Sequence, residues 1–460
     1  MMPTVFDGDQ VLERVLELLP PGATADARWE WERFTTMRFA NGWIHQPHIE
    51  QVASLSVRAE VEGRLGIATT LDLRPESLQR TVDEAVALAR CAPVERTFPG
   101  FPGGGTIAPS TPYSTVTARL TPEEAGRWTE QLLEGARASA PEGRISGVAH
   151  FGDTRLHVAN TSGRRARTRR SLAAARVLVE RLAFDPPSTG WAEAAHFDHR
   201  KLRPREVGVE AGERAARAAP VAIEPGAYRV VLDGSAAAKL VSELGYLGFG
   251  ARGAEDGWSC LARRRGRRIA PEGFSITDDG RSVETLPQGI DFEGTAKRRT
   301  PLVRDGIAGG AVSDLLSGAR RRSRTTGHAW PPEAPWGEFG AVPQNTIVSR
   351  GKARDLDELV RETRRGILVT RFHYVRTVDE SKAILTGMTR DGTYKIERGE
   401  ITEPVRNLRF TESVLTALGG LELWGRDRRC FTDDDERGAV ATTAAPMLTR
   451  RFRFTSATLF

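Results

Sequence analysis

Cysteine is the scarcest informative residue in this chain. Three cysteines, Cys91, Cys260 and Cys430, are spread over 460 residues. Their odd number and wide spacing exclude a disulfide framework, and no C-x-x-C pair suggests a redox or zinc-ribbon motif. Reduced thiols in a cytoplasmic protein are the expectation. Long apolar runs are also lacking. No stretch approaches the ~18 apolar residues needed to cross a bilayer, so no membrane partner is expected. Residues Met1–Gln10 show no basic segment followed by an apolar one, so no secretory signal is expected. There is no Gly-x-Ser-x-Gly elbow and no P-loop. Gly103-Gly104-Gly105 lacks the flanking strand, helix and lysine that phosphate binding needs.

The length exceeds what one core holds, since single cores stop growing at roughly 250–300 residues. The hydrophobic share of 39% and the charged share of 27% suit a globular protein. Net charge is +6, and arginine carries most of the basic side. Three arginine runs stand out, Arg164–Arg170, Arg263–Arg268 and Arg320–Arg324. Such runs meet phosphates in some proteins. Here no aromatic residue interleaves them, and no helix-turn-helix or zinc-finger spacing accompanies them. Solvated loops are the plainer reading.

Along the chain, Asp9–Leu19 reads as an amphipathic helix ending before Pro20-Pro21-Gly22. Ala27–Ala40 alternates as a strand, and Ser54–Thr70 as two strands around a Glu62-Gly63 turn. Pro75–Ala92 has helical spacing. Thr121 is a plausible N-cap, with Pro122 in the first turn of a helix to about Ala140. Strands follow at Ile145–Phe151, Leu156–Asn160 and Ser171–Ala183, then a helix from Pro204 to Ala219. Past Val221–Gly226 the texture changes to glycine-punctuated strands with one or two long helices. The expected architecture is α+β. An N-terminal α/β domain (1–220) precedes a C-terminal domain (221–460) dominated by antiparallel β-structure.

The histidines offer short metal-like spacings at His45/His48 and His196/His199. Neither pair has a third ligand at a convincing distance. His328 and His373 are isolated and read as structural. Arg365–Phe372 reads as a buried strand. Thr386–Ile401 reads as two strands joined by an Asp391-Gly392 hairpin turn, with a second turn at Arg398-Gly399. After a buried-strand pattern at Tyr228–Leu232 and a Gly234-Ser235 turn comes the helix Val241–Gly248. Taken alone, it is an amphipathic helix packing Leu240, Leu244 and Leu247.

Together these segments resemble the TldD/PmbA family, also described as modulators of DNA gyrase. Arg38–Gln46 is similar to its R-x-A-N-S-x-I-x-Q strand, and Gly63–Thr70 to its G-R-x-G-x-A-x-T. Asp291–Gly294 resembles D-x-E-G, Ser323–Ala329 the S-T-G-H-A segment, and Pro343–Thr346 a P-x-N. Thr386–Ile401, Pro404–Ser413 and the close from Pro446 to Ser456 resemble the C-terminal signatures. The order and number of these pieces carry the resemblance.

In the TldD branch the helix carries His-Glu-x-x-x-His, and a late cysteine completes a zinc site. Ser242 and Leu247 stand at the two histidine positions here, and Glu243 keeps the glutamate. Cys430 lacks a glycine-rich ligand context. The resemblance therefore implies the PmbA branch, also called TldE. Such a chain binds no cofactor itself and has no catalytic or metal residues of its own. It pairs with a TldD-like metallopeptidase subunit that holds zinc. The implied substrates are unstructured peptides or peptide-like natural products. Two other readings stay open. One is a diverged hydrolase acting on its own, as a monomer or a homodimer, in natural-product tailoring. The other is a nucleic-acid-associated regulator, against which the missing reading element speaks.

Overall fold

The computed structural model describes residues 7–215, 218–334, 337–432 and 440–457. The fold is α+β, with two sheets and a β-rich C-terminal half. The strand Thr24–Ala40 shows why the first sheet forms. Its odd positions Trp29, Trp31, Met37 and Phe39 are buried under helices, as are Ala25 and Ala27. Its even positions carry Asp26, Arg28, Glu30 and Glu32, with Phe34 on the same face. That second face is also covered, by the C-terminal half. Phe34 packs with Leu172, Leu286 and Cys430.

The strands Trp43–Val61, Thr24–Ala40, Arg144–Asn160, Arg165–Arg181 and Ser188–His196 pair antiparallel in a row, and Arg64–Thr70 closes the far edge. Arg144–Asn160 is one continuous strand, not the expected two. The intervening Gly152-Asp153 stays in register because each residue keeps partners on both sides. The row continues into the C-terminal half. Cys430 pairs with Ala195, and the strands Ala441–Ala444, Asn345–Val348 and Ile276–Asp278 follow.

The helix Pro122–Ser139 starts on a capping box. The Thr121 hydroxyl accepts from the Glu124 N–H at 3.2 Å, and Glu124 accepts from the Thr121 N–H at 2.9 Å. Such a cap contributes about 1 kcal/mol. This helix packs on Pro204–Ala215 at backbone distance. Gly208 permits the approach, because a Cβ there would collide with the Leu132 carbonyl.

The second sheet closes on itself. Arg365–Asp379 pairs with Gly226–Leu232, then Met447–Ala457, Leu408–Ser413 and Ile384–Glu397, which returns to Arg365–Asp379. Phe372, Phe410, Phe452 and Phe454 pack ring against ring in its core, with Phe372 stacked on Phe452. The expected hairpin turn at Asp391-Gly392 is absent. Ile384–Glu397 runs straight through it as one strand. Val369 faces Thr393 and Arg371 faces Arg390, so one extra residue is accommodated as a β-bulge. Asp391 takes the left-handed conformation (φ 55°), which serves a bulge as well as a turn. The turn at Arg398-Gly399 is present, with φ of 54° and 81°.

Because the Gly208 contact is backbone against backbone, relaxation is restricted. Gly208→Ala should lower stability by about 1–3 kcal/mol. Denaturant unfolding would measure it. An unchanged midpoint would show that the two helices can separate freely.

Candidate functional site

The helix Gly234–Gly248 leaves the strand Gly226–Leu232 through Asp233, whose side chain caps it by accepting from Gly234 N–H at 2.7 Å. Arg214 of the preceding half pairs with Asp233. The helix is buried along most of its length. Leu240, Leu244 and Leu247 lie in the C-terminal core, as the spacing implies. Leu247 is 1% exposed. Ser242 lies about 140° away around the helix. It shares a face with Ser235, Ala238 and Lys239, and all four line a cavity of about 90 Å³. Glu243 forms an ion pair with Lys239 Nζ at 3.1 Å, one turn back.

The rest of this cavity comes from both halves. Arg176 and Glu193 are on neighbouring strands of the first sheet, with Arg176 Nε 3.6 Å from Glu193 Oε2. Glu193 also accepts from the Ser235 hydroxyl. Arg371 comes from the closed sheet, stacks on Trp191 with Cζ 3.7 Å from the ring centre, and reaches Asp391 at 3.4 Å. The bulge at Asp391 thus places the counter-ion of Arg371. A cleft of about 430 Å³ adjoins the cavity and shares Trp191, Glu193, Ser235 and Phe431 with it.

Zinc does not fit the residues at Ser242 and Leu247. A core leucine has no donor atom, serine is a poor zinc ligand, and Glu243 already faces an ammonium group. Cys430 is remote from ligand chemistry as well. Burial pushes its thiol up to about 12, which keeps it protonated, and the thiolate is the ligating form. Among the described residues, no three His, Cys, Asp or Glu side chains cluster closely enough to hold a metal ion.

The histidines divide. His45 and His48 sit on one strand, with His45 the extra residue of a β-bulge, and no further ligand clusters with them among the described residues. His196 Nδ1 accepts from the Asp198 N–H at 2.9 Å, while His199 Nδ1 meets the Thr117 hydroxyl at 3.1 Å. Burial lowers the pKa of both rings. His328 is fully buried against Asp278 at 2.9 Å.

The three resemblance segments around Asp291, His328 and Asn345 converge on that pair. Asp278 also accepts the backbone N–H groups of Gln344 and Asn345 at 2.8 and 2.7 Å. Lys297 donates to Asn345 Oδ1 at 2.9 Å and to Gln344. Asp291 accepts from Glu293, Thr295 and Ala329 N–H groups. Burial alone would raise the Asp278 carboxyl, but His328, Lys297 and the backbone donors outweigh it and hold it below its ordinary value. Burial brings Lys297 down to about 8. Sequence reading recognised these segments without seeing that they form one network.

The arginine runs differ too. Arg164–Arg170 largely lies on a strand rather than a loop. Arg165 pairs with Glu13 at 2.6 Å, Arg167 lies 3.8 Å from Asp9, and Arg170 is buried. Arg320 pairs with Glu95 at 2.6 Å. These partners compete with any phosphate. Arg371 could have been noticed as a charge inside an apolar strand. Nothing local marks Arg176.

A family profile for the PmbA/TldA metallopeptidase C-terminal domain matches residues 225–456, and one for PmbA/TldA metallopeptidase domain 1 matches residues 25–89. This chain belongs to the PmbA/TldD family. A curated protein named "Metalloprotease" from Methanothermobacter thermautotrophicus is 29% identical over 233 residues, 49% of this chain and 48% of the relative. The chain thus matches about half the length of that relative. Among solved structures, TldE from Thermococcus kodakarensis superposes with a TM-score of 0.85 at 15% identity, over 97% of this chain and 99% of that one. A proposed modulator of a DNA gyrase from Thermotoga maritima gives 0.81 at 18% identity, over 97% and 100%. At such identities the superpositions show the PmbA/TldD fold alone.

Asp278 offers a test. Asp278→Asn removes a buried charge from its partners and should cost about 3–5 kcal/mol at pH 7. A depressed folded pKa contributes stability above the ordinary value of 3.8 that is lost as pH falls through the folded value. The parent should therefore lose stability below about pH 4, and the variant's acid limb should be shallower. Urea unfolding at pH 7 and pH 3 reads both. Parallel acid limbs would remove Asp278 from the linkage.

Proposed function

We propose that this chain is the TldE-like, non-catalytic subunit of a heterodimeric metallopeptidase. A TldD-like partner holds the zinc and performs the cleavage. The substrates are unstructured peptides or peptide-like natural products. The observation that carries this reading is the helix Gly234–Gly248. Where family peptidases place histidines, it has Ser242 on a cavity wall and Leu247 in the core. The carboxylate of Glu243 is held by Lys239, which disfavours its acting as a base on water.

The chain's contribution is then to wall a substrate path rather than to react. Extended peptides add to sheet edges through main-chain hydrogen bonds. Trp43–Ser54 offers such an edge, since Arg64–Thr70 pairs only with Leu55–Val61 of that strand. The free state of all three cysteines fits a cytoplasmic setting. Among the described residues, no helix is long and apolar enough to cross a membrane.

Metal analysis of the purified chain should find zinc far below one per chain, with no peptidase activity. Mixing with a TldD-like partner should give a heterodimer with one zinc and chelator-sensitive cleavage of an unstructured peptide. One tightly held zinc per isolated chain would end this reading. Equal activity of the partner with and without this chain would end it too.

A further inference from the structure

The closed sheet of the C-terminal half has two faces of opposite character. Its inner face holds Phe372, Val375, Leu385, Phe410 and Phe454. Along the strand Arg365–Asp379, Tyr374, Arg376 and Val378 alternate outward, and all three are exposed. Arg376 faces Thr386, which faces Thr411. The hydroxyls of Thr386 and Thr411 lie 3.5 Å apart, so the two share a face. Phe410 faces Phe454, which sets Arg453 beside Thr411. Arg409 stands two residues before Thr411 on the same face.

Arg376, Arg409 and Arg453 are exposed, and none has an ion-pair partner among the described residues. Arg376 donates to the Val375 carbonyl at 2.8 Å. The nearby carboxylate of Glu412 is engaged by the backbone N–H groups of Ser413 and Arg453, at 2.8 and 3.0 Å. Tyr374 is strained as well as exposed. It takes a φ of 55° at a β-bulge between His373 and Arg376. That conformation suits glycine or asparagine, and a bulky residue adopts it at a cost. The ring is nevertheless 63% exposed, and Val378 is 57% exposed. The Arg376 guanidinium lies over the ring, 4.8 Å from its centre. A strained aromatic turned to water among unpaired arginines has the composition of an interface centre, where Tyr and Arg carry much of the binding.

We propose that this outer face docks an acidic surface of the TldD-like catalytic subunit, with Tyr374 as the central anchor. The proposal deepens the functional reading above and rests on it for the identity of the partner. Charge complementarity sets the chemistry of that partner. Three unpaired cations around an exposed ring and a valine call for carboxylates around an apolar pocket. A single-stranded nucleic acid would call for aromatic platforms under successive bases, and Tyr374 is the single aromatic residue among those that form this face. The position fits as well. Arg371, about 10 Å before Tyr374 on the same strand, lines the cavity beside Ser242. A subunit seated here lies next to that cavity and its cleft.

The test is calorimetric titration of the full-length chain with a TldD-like partner, with sedimentation velocity to read the assembly. Tyr374→Gly should weaken binding about thirtyfold, the scale of a truncated hot-spot anchor. Glycine relieves the φ of 55°, so the melting temperature of this variant should not fall, and lost binding cannot be charged to unfolding. Arg376→Glu and Arg409→Glu should each weaken binding at least about tenfold and flatten its salt dependence, while Arg376→Lys should retain most of it. A heterodimer that forms and cleaves an unstructured peptide equally well in all these variants would sink the docking face and spare the functional reading. Partner binding lost in the variants of a chain that holds its own zinc would spare the face and end that reading. A parent chain that does not bind the partner would overturn both. Self-association of the chain through the same residues would overturn the proposal in favour of a second copy, and oligothymidylate binding lost in the same variants would overturn it in favour of nucleic acid.

Discussion

Asp278 is the buried charge around which the C-terminal half is organised. It lies at the end of the short strand Ile276–Asp278 and is fully buried. Its oxygens accept from the His328 ring and from two backbone N–H groups of the next strand. Lys297 ties the same strand from the other side. Loops that could not otherwise bury their polar groups are thereby fixed. A second ionic tie joins the halves. Arg58 on the first sheet bridges Asp26 and Glu293, and its pKa is raised by both carboxylates against the penalty of burial. Glu293 in turn accepts from the Leu315 N–H.

That tie explains the unusual strand Thr24–Ala40. A charged face normally meets water, yet here it meets the C-terminal half, with Arg28 paired to Glu333 at 2.5 Å. The first sheet is thus covered on both sides, by helices on its apolar face and by polar loops on its charged one. The cavity beside Ser242 lies at the same junction. It exists because a helix, a bulged strand and two strands of the first sheet meet without filling the space. Its cations come from three segments far apart in sequence, and each meets a carboxylate there: Arg176 with Glu193, Lys239 with Glu243 and Arg371 with Asp391.

Asp391-Gly392 carries turn chemistry, and the structure uses it for a bulge. The left-handed conformation is the same in both, and only the pairing partner distinguishes them. The helix Gly234–Gly248 was legible in its second half, since Leu240, Leu244 and Leu247 share one buried face, whereas Gly234-Ser235, which reads as a separate turn, is the helix's own first turn. What lay opposite that face was not legible. Lys239 pairing with Glu243 follows from helical spacing, but Arg176, Trp191 and Thr442 arrive from other elements.

By itself, the sequence determined the long helices of the N-terminal half, much of the strand pattern of the first sheet, and the family. These depend on local periodicity, turn chemistry and composition, which act over a few residues. The tertiary structure alone decided that a charged strand face would be buried, that Asp278 and His328 would meet across 50 residues, and that Arg371 would find its counter-ion in Asp391 across a β-bulge. Those outcomes depend on which surfaces meet, and pairing between distant segments leaves no periodic trace in the chain.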